Sequence, residues 1–280
     1  MKLQIIPART GLHWVRLGSR TFARCPLAFT GLLLLGLVVL ACLAGLLDVL
    51  GLPQWTGTAV LSVLWPSFSL MVMVAAAEVW QGRALRPQLL WVAFGEGQRA
   101  RAMLLLGLLY SGMEALMLGA SMLLDDGRFA RFYLGLGAEA DITELEDVLA
   151  FFADPQVRTA MWLFLGSTLL LMLPMWHAPA LVYWHRIAPL KALFFSTVAC
   201  VRNIGAFALY TLAWFGLWMA AGALPMLVGS LLAAGPDGVS EPGMVLIALV
   251  ILLLLLPLCC AFAVSWVFSF RDCFAEPRAQ

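Results

Sequence analysis

Residues 244–269 read MVLIALVILLLLLPLCCAFAVSWVFS, without one charged side chain. A stretch of about 20 such residues crosses a bilayer as a helix, because lipid offers nothing to hydrogen-bond an exposed backbone. Five more runs are as long and nearly as apolar, with at most one acidic residue each, at 27–47, 58–80, 103–124, 159–182 and 204–230. The chain as a whole is 63% hydrophobic and 12% charged. A soluble domain is about half apolar and about a quarter charged, so this composition belongs in lipid. The fold class expected is all-α and polytopic, with six transmembrane helices.

The charges are sorted along the chain. Lys2, Arg9, Arg16, Arg20 and Arg24 precede the first run, and Arg83, Arg86, Arg99 and Arg101 join the second to the third. Arg186, Lys191 and Arg202 join the fourth to the fifth, and Arg271 and Arg278 follow the sixth. That accounts for all of the 17 basic residues except Arg128, Arg131 and Arg158. The odd-numbered connections instead hold Asp48, Asp237, Glu241 and eight acids between 125 and 158. Basic and acidic links alternate in register with six crossings, which puts both termini in the cytoplasm of a bacterial inner membrane by the positive-inside rule. The division expected is a cytoplasmic arm at 1–26, a membrane domain at 27–269 with an acidic outer loop at 125–158, and a cytoplasmic tail at 270–280.

The arm reads as an amphipathic helix. At about 100° per residue, Arg9, His13, Arg16, Arg20 and Arg24 share one side, with Trp14, Val15, Gly18 and Phe22 opposite. Such a helix suits the headgroup layer, with the arginines on anionic phosphates and Trp14 and Phe22 in the acyl boundary. Its alternative is a solvated basic flank. Residues 85–101 and 189–203 are comparable lead-ins to the third and fifth runs. Two echoes suggest three repeated hairpins: Arg24-Cys-Pro-Leu-Ala-Phe29 with Arg202-Asn-Ile-Gly-Ala-Phe207, and Arg83-Ala-Leu-Arg-Pro87 with Arg186-Ile-Ala-Pro189. In the outer loop, Thr143-Glu-Leu-Glu146 is a capping-box pattern that opens a short amphipathic helix ending at Asp154-Pro155.

Ionisable side chains inside a span cost roughly 2–3 kcal/mol and are functional candidates by default. Glu114 lies in the third run, beside a small-residue stripe of Gly107, Ser111, Ala115 and Gly119 that invites close helix approach. Glu78 and His177 lie near the ends of the second and fourth. Glu114 with Glu78 or His177 would form a proton- or cation-coupled path; otherwise a protonated Glu114 bonds a neighbouring helix while Glu78 and His177 reach the interface. Pro66, Pro174, Pro179, Pro225 and Pro257 are expected to kink their spans.

The six cysteines lack metal-ligand spacing, and no glycine-rich phosphate loop, Cys-x-x-Cys, His-Glu-x-x-His or Gly-x-Ser-x-Gly is present. No catalytic residue, cofactor or metal is expected, and nothing points to nucleic acid. Val39-Leu40-Ala41-Cys42 is similar to a lipoprotein box, but it lies late and the chain stays apolar beyond it.

Pro7-Ala8-Arg9, then Gly11, Trp14, Gly18, Phe22 and Pro26-Leu27-Ala28, resembles the start of an uncharacterised family of proteobacterial multi-pass membrane proteins. The plan of six spans with basic lead-ins is similar to that of the YciC-like proteins. The resemblance implies a multi-pass inner-membrane protein and no chemistry. The leading reading is a non-enzymatic scaffold or envelope-associated factor that binds anionic lipid and pairs with copies of itself or other membrane proteins. The alternative is a small transporter or channel with Glu114 in its path.

Overall fold

The computed structural model describes residues 3–137, 142, 144–233 and 240–274. Among them every regular element is helical: α1 Thr10–Arg24, α2 Pro26–Val49, α3 Trp55–Trp80, a 3₁₀ segment at Pro87–Phe94, α4 Gly97–Asp125, α5 Arg128–Leu134, α6 Leu145–Ala153, α7 Pro155–Met175, α8 Ala178–His185, α9 Pro189–Arg202, α10 Ile204–Ala233 and α11 Glu241–Phe274. Six segments are long and apolar enough to cross a membrane, namely α2, α3, α4, α7 with α8, α10 and α11. The protein is an all-α polytopic membrane protein.

Several boundaries move. The third span starts at Gly97, so Arg99 and Arg101 belong to the spanning helix itself rather than to a separate lead-in helix. The break falls at Glu96, whose backbone is extended. The sixth span continues to Phe274, which places Arg271 on the helix rather than in a tail. Residues 275–280 lie outside the described residues. The helix of the outer loop begins at Leu145 behind Glu144, which makes no side-chain cap. Thr143, the expected cap, lies outside the described residues.

The described chain forms two compact units. The first comprises Met1–Leu34, Met71–Leu89 and Ala199–Gln280. Here α1 lies across α10 and α11. A Cβ added at Gly11 would overlap the Ala206 carbonyl, and one at Gly18 would stand 2.8 Å from the Ser265 Cα. These two glycines let backbones touch, as small residues do between membrane helices. Between them Trp14 is fully buried, with its ring 5.2 Å from Phe207 and 5.8 Å from Tyr210. Its indole N–H donates to Asp272 at 2.8 Å. Ahead of α1, the buried Asn203 accepts the Ile6 N–H at 2.9 Å and donates to the Gln4 carbonyl at 3.1 Å. Asn203 is the single residue between α9 and α10, as Cys25 is between α1 and α2. The echoed segments at 24–29 and 202–207 thus occupy the same kind of junction.

The second unit comprises Leu35–Leu70 and Leu90–Val198. In it α4 packs along α7, and a Cβ at Gly107 would overlap the Val63 carbonyl of α3. At the other end of the expected stripe, Gly119 faces open space. After α4 the chain reverses at Asp126 and Gly127, both left-handed at φ 54° and 77°. The buried Asp125 carboxylate accepts the N–H groups of Gly127 at 3.0 Å and Phe129 at 2.6 Å, so it seats the start of α5. Leu118, Phe129, Phe151, Val157 and Phe164 then close a core over this turn. Asp154 caps α7 by accepting the Gln156 N–H at 2.8 Å and pairs with Arg128 of α5 at 2.6 Å. Arg128 and the cap hold the Asp154 carboxyl below the usual carboxylate range.

Of the expected proline kinks, only one divides a helix. Pro66, Pro225 and Pro257 sit inside continuous helices, and Pro174 sits inside α7. The fourth span breaks at Trp176-His177, just before Pro179. The Ser196 hydroxyl of α9 accepts the His177 N–H at 3.0 Å and donates to the Leu173 carbonyl at 2.8 Å. Those two groups are an i, i+4 pair, so the hydroxyl is inserted where a helix bond would run. Ser196→Ala leaves both backbone groups without that bridge in a buried setting. A loss of about 1–3 kcal/mol is expected, read by thermal unfolding in detergent, whereas Ser167→Ala on the exposed side of α7 should shift little.

Candidate functional site

α1 divides its residues cleanly. Gly11, Trp14, Gly18 and Thr21 face protein, while Arg9, His13, Arg16, Arg20 and Arg24 are exposed. The expectation that Trp14 dips into the acyl boundary is therefore corrected. Its ring is covered by α10 and α11, and its polar edge is taken by Asp272. Phe22 is half-buried against Phe29, with ring centroids 6.3 Å apart. The basic residues keep the outward position that the helical wheel gave them.

Arg24 extends this basic face to the span ends. Its guanidinium lies 5.1 Å from the Trp80 ring, and Arg271 lies 5.4 Å from the same ring. Neither arginine has a carboxylate partner among the described residues. Cation–π contact of this kind fixes a guanidinium without neutralising it. Nearby, Glu78 bonds Arg83 through both carboxylate oxygens, one contact at 2.7 Å. The hydrogen bond to Glu78 raises the Arg83 pKa. Glu78 is thus spoken for as half of an ion pair at a helix end.

Glu114 is half-buried and held by hydroxyls. Ser62 of α3 donates to one carboxylate oxygen, and Tyr133 of α5 donates to the other at 2.9 Å. Partial burial, and then the Glu114 carboxylate beside it, push the Tyr133 hydroxyl pKa up. The reversal at Asp126-Gly127 is what returns α5 along α4 far enough for Tyr133 to reach Glu114. His177 is fully buried at the α7–α8 break, where its backbone meets Ser196. Each of the three has partners of its own: Arg83 for Glu78, Ser62 and Tyr133 for Glu114, and Ser196 for the His177 backbone.

Both hydroxyls on Glu114 need an acceptor, which gives a test of what the carboxyl does. Glu114→Gln keeps a carbonyl oxygen and should unfold within about 1 kcal/mol of the parent, whereas Glu114→Leu strands two hydroxyls at about 1–3 kcal/mol. Equal unfolding temperatures for the two variants would contradict this.

Over 220 residues the chain is 33% identical to a probable inner membrane protein of Burkholderia thailandensis, covering 78% of this chain and 76% of that one. The chain belongs to that family of inner membrane proteins. No protein-family model matches it, and no solved structure matches it. As a multi-pass inner membrane protein it presents its charge where helices end: the arginines of α1, the Arg24–Trp80–Arg271 group, and a second set around Glu96, Arg99 and Arg186. Sequence reasoning passed over Ser62, Tyr133, Ser196 and Asp272, because each matters only through a partner distant in the chain.

Proposed function

We propose that this inner membrane protein is a non-enzymatic scaffold that gathers anionic lipid around itself through the outer face of α1, with both termini on the cytoplasmic side. One observation carries the reading: Arg9, Arg16 and Arg20 are exposed on a helix whose opposite face is locked onto α10 and α11, and none has a carboxylate partner among the described residues. A docked helix has already been ordered, so meeting the headgroups costs little further entropy. Each basic residue near an anionic leaflet contributes about 1 kcal/mol. The span-end arginines of the basic connections lie in keeping with the same side. In plan the protein follows the YciC-like proteins, and we read it as their architectural relative.

The hydroxyl held on each oxygen of Glu114, Ser62 on one and Tyr133 on the other, supports a structural role for that carboxyl over an ion path. The lipid role is tested by extracting the protein with its surrounding native bilayer and measuring the ratio of anionic to zwitterionic lipid. The parent should be enriched in anionic lipid over the bulk membrane. The Arg9→Gln/Arg16→Gln/Arg20→Gln variant should lose that enrichment, and an unchanged ratio would overturn the proposal.

A further inference from the structure

The second unit contains a pocket of about 280 Å³ where α4 begins and α8 ends. Val182, Ile187 and Ala102 supply apolar walls, and Glu96, Arg99 and Arg186 supply charge. Both helices are ends of spans, so the pocket lies at the level of the headgroups. We propose that it binds a phosphate group.

Four features meet there. First, the Arg99 guanidinium is held 4.8 Å from the Tyr183 ring, and its Nε is buried without a hydrogen-bond acceptor. A buried charged donor left unmade is expensive, and a ligand oxygen would satisfy it. Second, α4 is 29 residues long and its N-terminus has no side-chain cap. Its first-turn N–H groups form the positive end of the helix, and first-turn Gln98 and Arg99 line the pocket. Third, Glu96, the carboxylate among the described lining residues, is shared. Glu96 stands 3.3 Å from Arg99 and 3.6 Å from Arg186, both longer than the ~2.7–2.9 Å of a strong charge-assisted bond. One carboxylate against two guanidiniums leaves the pocket positive. Fourth, Arg186 is the left-handed C-cap of α8, at φ 53°, and its own N–H closes the cap on the Leu181 carbonyl. That turn places Arg186, 70% exposed on its side chain, in the pocket lining with Arg99.

Phosphate suits this set better than a carboxylate ligand. Its several oxygens can accept from Arg99, Arg186 and the helix N–H groups together, with arginine's fork matching two of them at once. Glu96 opposes a bound anion, so this site carries its own prediction of sign. Removing the Glu96 charge should tighten binding, which a purely structural ion pair would not do.

The test uses the full chain in detergent, in the Arg9→Gln/Arg16→Gln/Arg20→Gln background, which removes the lipid site proposed on the outer face of α1. Phosphatidylglycerol is titrated and followed by native mass spectrometry, and inorganic phosphate is titrated separately by calorimetry. The double variant Arg99→Gln/Arg186→Gln should lose about tenfold or more in affinity, the worth of one or two charge-assisted bonds. Glu96→Gln should gain several-fold. Arg186→Gly suits the left-handed cap, so it should unfold no earlier than the parent and still bind more weakly. Lipid binding without phosphate binding assigns the site to a lipid headgroup, and saturable phosphate binding assigns it to free phosphate. Equal affinity in all variants, or binding of neither probe, overturns the proposal.

Discussion

Replacing Trp14 with alanine should destabilise the protein by about 3–5 kcal/mol, the cost of truncating a fully buried aromatic. The indole is enclosed by Phe207 and Tyr210, and it satisfies Asp272. Alanine leaves a cavity between Gly11 and Gly18, the two points where α1 touches its neighbours, and strips Asp272 of a donor. Trp14→Phe keeps the ring contacts and gives up only the hydrogen bond, so it should lose about 1 kcal/mol. Trp91, 60% exposed, should tolerate alanine within about 0.5 kcal/mol. Thermal unfolding in detergent ranks the three. If Trp14→Ala melts with the parent and instead weakens membrane association, the tryptophan is a lipid anchor and α1 is not docked as described.

The second large effect is expected at Gly107. A Cβ there would overlap the main-chain carbonyl of Val63, and no rotamer change removes a main-chain atom. Gly107→Ala must push α4 off α3, at about 1–3 kcal/mol for overpacking, and Gly107→Val must do so further. The same displacement separates Ser62 from Glu114, because these bridge the same pair of helices. Gly119→Ala is the matched control. It lies on the same helix, faces open space, and should be neutral or gain up to ~1 kcal/mol in helix propensity. Indistinguishable unfolding of the two variants would mean that α3 and α4 do not make this approach.

The six spans were legible because lipid leaves the backbone no alternative to a continuous apolar helix, and that demand is written into each run of sequence. The partner of α1 was less legible. An amphipathic wheel reports that one face is covered, and both lipid and protein can cover it. The signal that separates them was present: the covered face carries Gly11 and Gly18, which suit backbone contact, rather than a row of large anchors. The outer turn was hidden for another reason. Arg128–Leu134 is a seven-residue helix stabilised by Asp125 at its start and by Phe164 of α7, neither of which a local pattern reveals. Ser196 is legible only in three dimensions, since it completes a helix break 19 residues away. The ionisable residues of the spans are visible in the sequence, whereas their hydroxyl and arginine partners, which lie elsewhere in the chain or in the fold, are not.

The proposed lipid role requires the six helices to thread the bilayer with their arginine-bearing ends on one side. Reporter fusions after Gly95 and after Gly137, each made once with alkaline phosphatase and once with a fluorescent protein, test that directly. The fusion after Gly95 should fluoresce and lack phosphatase activity, and the one after Gly137 should do the reverse. Both positions reporting the same compartment would contradict the threading of α4, and with it the side on which the basic residues of the N-terminal helix stand.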